Sequence, residues 1–433
     1  MKQITRRSFL ATTAMAAGSA VAAPVSPNEK LRLGIIGSGG RGGANTNGVK
    51  GEEIAWLCDT NRKVLDGLKT KFSGAKQTTD WREVIADDSI DAVVISTADH
   101  HHALAAVAAM KSGKHVYCEK PLAHNPREAR IMRDTCKGAQ GKVATQMGTQ
   151  IHATDNYRRV VELVQSGAIG KVREAHVWCS RSINPIGEAV LPKQDVPEWF
   201  DWDVWLGPAA DRDYNEGYWK GGNLNWNRRW DFGNGVLGDM GSHLIDLPWW
   251  ALNLQEPLSV EAEGPTADPV ACPPWLKVTW EHAPRSGPAA LDAGVKVIWY
   301  HGGKEHRPSI DTGMDLGKWF NGILFVGDDG MLLADYGKRF LLPEKKFRNF
   351  EPPGPTIAKS PGHYNEWLAA CRGEGSTLCN FEYSGSLIEH NLLGTTAYRA
   401  GKKLQWEPGT MKIPNAPEAE KFLGRTYRKG WEI

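Results

Sequence analysis

Cysteine is scarce in this chain. There are seven in 433 residues, an odd number, and no two form a C-x-x-C pair. Neither a disulfide framework nor a zinc site is indicated. Cys58 and Cys118 end short apolar runs, which reads as buried thiols. Beyond the first 23 residues no stretch approaches the roughly 20 consecutive apolar residues of a membrane span, so the mature chain has no such span. A block of one charge is also missing, and with it the footprint of a nucleic-acid partner. Taking Lys2, Arg6 and Arg7 of the leader from 52 Lys and Arg leaves 49 against 50 Asp and Glu. Internal repeats and low-complexity segments are absent too.

What is present suits a soluble globular protein, with 41% hydrophobic and 24% charged residues. Single cores stop growing at about 250–300 residues, so 433 residues predict two domains. Residues 1–23 form a leader: Arg6-Arg7-Ser8-Phe9-Leu10, a small apolar stretch, then Ala20-Val21-Ala22 as a cleavage site. This is the twin-arginine pattern, and a periplasmic or otherwise exported protein is expected.

From Leu31, strand-length apolar runs alternate with helical patterns. The runs are Leu31–Gly37, Ile54–Asp59, Asp91–Thr97, His115–Cys118 and Val143–Met147. Asp80 followed by Glu83, the Ala-rich segment His102–Ser112, and Asn125-Pro126 mark helices between them. Such alternation predicts a parallel sheet covered on both faces. After about residue 150 a helix (Thr154–Ser166) leads into a strand (Val172–Ser180). Residues 181–235 have little periodicity, yet nine of the 18 tryptophans lie between Trp178 and Trp250, which argues against disorder. Val295–Tyr300, Ile323–Val326 and Met331–Ala334 read as strands of a second sheet, and Glu382–Ala400 as a late helix.

Gly37-Ser38-Gly39-Gly40-Arg41-Gly42 is a G-x-G-x-x-G loop between the first strand and a helical segment. Its glycines permit the tight turn, the approach of a pyrophosphate and close helix packing. Asp59, 17 residues after Gly42, ends the second strand and suits the adenosine ribose hydroxyls. An acid there would repel a 2′-phosphate, so NAD is favoured over NADP, and Arg62 keeps NADP open. Export in the folded state suits a protein that loads its nucleotide in the cytoplasm.

Glu119-Lys120-Pro121 follows the fourth run, where a lysine projects into the ligand crevice. Here the chain resembles the glucose–fructose oxidoreductase / inositol dehydrogenase (Gfo/Idh/MocA) family. The likeness rests on the glycine loop, Ser96-Thr97-Ala98-Asp99-His100-His101-His102, Glu119-Lys120-Pro121, Gln146-Met147-Gly148 and Gly238-Asp239-Met240-Gly241-Ser242-His243. Ala98 departs from the proline usual in the family. The implied fold is α/β: an N-terminal Rossmann doubly wound parallel sheet (30–150), then an α/β domain (151–433) with a large open, mainly antiparallel sheet. The resemblance also implies Lys120 beside nicotinamide and substrate, a Pro121 that often follows a cis bond, and a dimer or tetramer. Ser96, Thr97, His102, Glu119 and Gln146 are the further candidate cofactor contacts. Three consecutive histidines point in different directions, so His100–His102 predict no metal site.

Asp239, His243 and Asp246 are spaced i, i+4 and i+7, one face of a helix if the segment is helical. A histidine suits proton removal from an alcohol near neutrality, a lysine suits the developing alkoxide, and Asp246 is expected to orient His243. Trp226, Arg228 and Trp230, with Gln150 and His152, are candidate contacts to a sugar, although any tryptophan among them could equally fill core. The expected activity is oxidation of a secondary hydroxyl of a sugar, glycoside or cyclitol with tightly held NAD, in particular as a glycoside 3-dehydrogenase. The alternatives are an NAD-dependent glycosidase working by transient oxidation, elimination, addition and reduction, and a sugar-binding protein without catalysis.

Overall fold

The computed structural model describes residues 29–433 except residue 140 and residues 286–293, so the expected twin-arginine leader lies outside the described residues. The first sheet contains β1 (Arg32–Ile36), β2 (Glu53–Cys58), β3 (Lys76–Thr78), β4 (Ala92–Ile95), β5 (His115–Cys118) and β6 (Thr145–Met147). All pair in parallel, in the spatial order β3-β2-β1-β4-β5-β6. Five of these strands match apolar runs. The sixth, β3, is the short polar segment Lys-Gln-Thr and carries no such signal. Strand order reverses between β1 and β4, and the loops leaving their carboxyl ends open a crevice there.

Helices cover both faces. Asp80 caps the helix Trp81–Ala86 through the Arg82 N–H, and Asn125 caps Pro126–Gly138 through Glu128 N–H. The Ala-rich helix begins at Asp99 rather than at His102, so all three histidines lie in its first turns and are buried. It stops at Gly113, whose φ of +75° is the left-handed conformation.

The second sheet contains β7 (Val172–Cys179), β8 (Ser259–Glu263), β9 (Leu276–His282), β10 (Val295–His301), β11 (Asn321–Gly327), β12 (Met331–Ala334), β13 (Arg339–Leu342) and β14 (Leu404–Gln405). Its order is β13-β12-β11-β7-β10-β9-β8-β14. Neighbours are antiparallel except β7 and β10, which run parallel.

Two later segments tie the sheets together. The 20-residue helix Phe381–Ala400 packs on both the helix Pro126–Gly138 and β8, and most of its residues are buried. Gly385 lets it press against the first-domain helix, since a Cβ there would meet Arg133 Cβ at 2.7 Å. The helix His363–Cys371 returns to the first sheet, where Trp367, Leu368 and Cys371 pack with Leu31, Leu33 and Ile35. Residues of the late chain thus complete the core of the first sheet.

The irregular segment 181–235 has a core of its own. Phe200, Trp202, Leu206, Tyr214, Tyr218 and Phe232 pack together beneath Trp199, Trp205 and Trp219. Phe200 stacks on Trp219 at 4.4 Å and Trp202 on Trp205 at 5.1 Å between ring centroids. Aromatic burial replaces regular backbone pairing as the ordering force here. His100 and His101 anchor the segment: their Nε2 atoms lie 3.0 and 2.9 Å from the Trp205 carbonyl oxygen.

Candidate active site

The glycine loop sits directly at the carboxyl end of β1. Gly37 has a φ of +81°, and a Cβ there would sit 2.7 Å from the Ser96 backbone. A Cβ on Gly42 would lie 1.7 Å from the Gly37 carbonyl oxygen, so the helix Arg41–Gly48 can pack this close only with glycine. Asp59 accepts from the Gly39 N–H and the Asn61 N–H, both at 2.9 Å. Burial pushes its carboxyl up, while those backbone donors oppose the shift.

A cavity of about 580 Å³ starts here. It runs from Gly37, Gly39, Gly40 and Arg41 past Asp59 and Asn61 to Ser96, Thr97, Lys120 and Asp239. Phe200, Trp205, Trp219 and Trp226 form its opposite wall. Gly loop, ribose-side acid and lysine end therefore share one space, of a size within the usual range for small-molecule sites. These residues fit a dinucleotide: the loop for the pyrophosphate, Asp59 for the adenosine ribose, and the Lys120 end for the reacting ring.

At the lysine end, Lys120 Nζ donates to Asp239 Oδ1, and Arg181 Nη1 donates to Asp239 Oδ2. The Lys120–Pro121 bond is cis. Burial pushes the Asp239 carboxyl up, but Lys120 and Arg181 outweigh it and hold it below the ordinary carboxylate range. Asp239 and His243 lie on one helix, Gly235–Leu244. Burial, reinforced by the Lys120 charge, pushes the His243 imidazole down to about 3. It is neutral at any working pH, and its Nδ1 is buried without a hydrogen-bond partner. Tyr336 stands beside it at 6.3 Å between ring centroids, its buried hydroxyl also unpartnered.

Glu119 is the hub of a second network. Its Oε1 accepts from Arg41 Nε (2.9 Å), Asn45 Nδ2 (3.0 Å) and Gln150 Nε2 (3.2 Å). A Cβ on Gly148 would meet the Glu119 carboxyl at 2.7 Å, which accounts for glycine after Met147.

Other candidates stand elsewhere. Asp246 does not orient His243, because the helix breaks at Ile245 and a new one begins at Asp246. Instead Asp246 accepts from His152 Nδ1 (2.9 Å) and the Tyr383 hydroxyl (2.7 Å), and His152 stacks on Trp250. His102 is clamped, with Nδ1 2.7 Å from the Pro121 carbonyl oxygen and Nε2 3.1 Å from that of Thr97. It braces the two loops from behind rather than lining the cavity. Gln146 is buried and donates to the His363 carbonyl at 2.6 Å. Ser38 faces inward, its hydroxyl 3.1 Å from the Cys58 carbonyl oxygen. Arg62 is exposed, and its backbone N–H binds the Trp199 carbonyl at 2.8 Å. Trp230 is core, with Nε1 donating to the Asp268 carbonyl at 3.1 Å. Arg228 holds the backbone of Asn184 and Pro185 at 3.3 Å. Of the tryptophans proposed for substrate, Trp226 lines the cavity.

Three cavity or site residues were not singled out as site residues by the sequence. Arg181 follows β7 in the irregular segment, and only the fold brings it to Asp239. Asp99 lines the cavity with one carboxylate oxygen buried and unpartnered. Trp219 lies in the tryptophan-rich stretch, but nothing in its spacing sets it apart.

A doubly wound sheet with a glycine loop, an acid after β2 and a lysine–aspartate pair beside a neutral histidine defines an oxidoreductase of the NAD-binding Rossmann class. Two family models agree: "Oxidoreductase family, NAD-binding Rossmann fold" matches residues 31–147, and "Oxidoreductase family, C-terminal alpha/beta domain" matches residues 155–298. The chain belongs to the Gfo/Idh/MocA family. It is 28% identical over 155 residues to a levoglucosan dehydrogenase of Pseudarthrobacter phenanthrenivorans, covering 33% of this chain and 39% of that protein. It is 29% identical over 182 residues to an inositol 2-dehydrogenase of Salmonella typhimurium, covering 39% and 54%. It is 32% identical over 176 residues to a glycosyl hydrolase family 109 protein of Shewanella pealeana, covering 36% and 37%. The chain thus spans between about a third and a half of these relatives. Among solved structures, the WlbA dehydrogenase of Bordetella pertussis with NADH and UDP-GlcNAcA matches at TM-score 0.62 and 17% identity, covering 88% of this chain and 98% of that one. A levoglucosan dehydrogenase with NADH and levoglucosan matches at TM-score 0.57 and 18% identity, covering 87% and 99%. Both show the fold.

Proposed function

We propose that this chain is an NAD-dependent dehydrogenase that oxidises a secondary hydroxyl of a sugar, glycoside or cyclitol. The observation that carries this reading is Asp239, held by Lys120 and Arg181 at the end of the dinucleotide-sized cavity, beside a neutral His243. NAD, when bound, supplies the hydride acceptor. The glycine loop, Asp59 and the Thr97 loop would hold it. A substrate hydroxyl placed near Lys120 meets a donor that favours the alkoxide form. His243, kept neutral, can accept the hydroxyl proton. Asp239 holds Lys120 in position. The aromatic wall limits water and suits the C–H face of a sugar ring. The same wall supports a cofactor that stays bound through turnover, as an exported enzyme would require. A glycoside 3-dehydrogenase is the specific form we favour.

The test uses protein purified in the folded state. Released NAD(H) and NADP(H) are measured after denaturation, and the redox state of bound cofactor is followed as glucosides and cyclitols are added. Reduction by one sugar class, with a keto-sugar product, is expected. Aglycone release without net reduction would instead give the glycosidase reading, which the similarity to a family 109 protein favours. Absence of bound nucleotide and of any response would overturn both.

Asp59 also underlies a preference for NAD over NADP. Asp59→Asn removes its charge at the ribose end. NAD affinity is expected to fall about tenfold, the weight of one charged hydrogen bond, while discrimination against NADP narrows. Fluorescence titration with both reduced cofactors reads this, and an unchanged NAD to NADP ratio would place Asp59 away from the ribose.

A further inference from the structure

A second cavity, of about 260 Å³, lies outside the space described above. His124, Asn125, Asn234, Arg399 and Arg425 line it. Donors dominate its wall. Asn125 Nδ2 and Arg425 Nη1 are buried without partners, whereas Asn234 faces the Asp99 carboxylate and His124 the Trp230 carbonyl. Asn125 is 6% exposed, so bulk water does not relieve it. Arg399 makes no ion pair among the described residues. Its guanidinium lies over the rings of Phe422 (4.4 Å) and Trp230 (5.1 Å), which hold it in place. The other charges of the wall are answered: Arg425 pairs with Glu128, and Asp231 with Arg212. A cation without an ion pair and two unfilled N–H donors on a common cavity suit an acceptor-rich, negatively charged occupant.

We propose that this cavity is a binding site for a small oxyanion, the phosphate or carboxylate group of a metabolite. The occupant would touch two segments that lead into the reaction centre. His124 follows the Lys120–Pro121 turn, and Asn234 immediately precedes the helix that carries Asp239 and His243. The site stands on its own donors and does not depend on which sugar is oxidised.

The experiment is calorimetric titration of the full chain, saturated with NAD so that the glycine loop is not available to the probe. Inorganic phosphate and succinate are the probes. Binding of one of them at a single site is expected, and the probe that binds identifies the group. Arg399→Gln should weaken it by about tenfold. Ala210→Trp, at an exposed position on the cavity wall, should block it without touching the core. The second variant decides the matter if the first fails to fold. No binding of either probe at tens of millimolar, or binding unchanged by Ala210→Trp, would overturn the proposal.

Discussion

Lys120→Met is expected to lower kcat/KM by about 10³-fold while leaving NAD bound. The side chain is of similar length, so the wall of the cavity is kept and only the charge and its donors go. Asp239 retains Arg181, which limits the cost of leaving a buried carboxylate without Lys120. The glycine loop and Asp59 are untouched, so cofactor retention after gel filtration separates a catalytic loss from a binding loss. Lys120→Arg is not expected to rescue, because a planar guanidinium cannot place its charge where a single ammonium sits. A drop below about tenfold would remove Lys120 from the reacting centre. The pH profile supplies an independent check. His243, pushed down to about 3, already is the neutral base, so kcat/KM should show no histidine limb near pH 6.5.

The second large effect is on stability in acid. Burial pushes the imidazoles of His243, His301 and His363 down to about 3, and those of His101 and His282 to about 4. The sign follows from linkage. As pH falls below 6.5 the unfolded chain takes up protons that the folded chain refuses until about 3 or 4. These groups therefore cost nothing above pH 7, and stability is lost between about pH 6.5 and 3. At pH 5 each of these five histidines costs about 2 kcal/mol. A fall in Tm of about 10 °C between pH 7 and pH 5 is expected from thermal unfolding at constant ionic strength. His301 lies in β10, away from the candidate active site, so His301→Gln should recover part of that loss without altering catalysis. A Tm independent of pH over this range would mean that these rings are not buried as neutral groups.

The first sheet was legible because its strands are covered on both faces. Such strands must be apolar, and five of them stand out as short apolar runs between helices. β3 escaped because an edge strand of three polar residues has no pattern to show. The second sheet was read only in part. β8, β13 and β14 are short and lie at or next to an edge of the sheet, and β14 pairs with a strand far back in the sequence. The glycine loop, Asp59 and Lys120 were readable because each acts from a fixed place at a strand end. Trp230 and Trp226 were not separable. Four residues apart and alike in chemistry, one is core and the other faces the cavity.

By itself, the sequence determined a doubly wound nucleotide-binding sheet, its glycine turn, the acid after β2 and the lysine after β5. These are local matters, in which backbone sterics and strand burial limit what can stand at each position. The tertiary structure alone decided which charges meet. It brought Arg181 to Asp239, turned Asp246 away to His152 and closed the cavity with an aromatic wall from the irregular segment. Those pairings join residues tens of positions apart. Packing, not spacing along the chain, sets which of them come within reach.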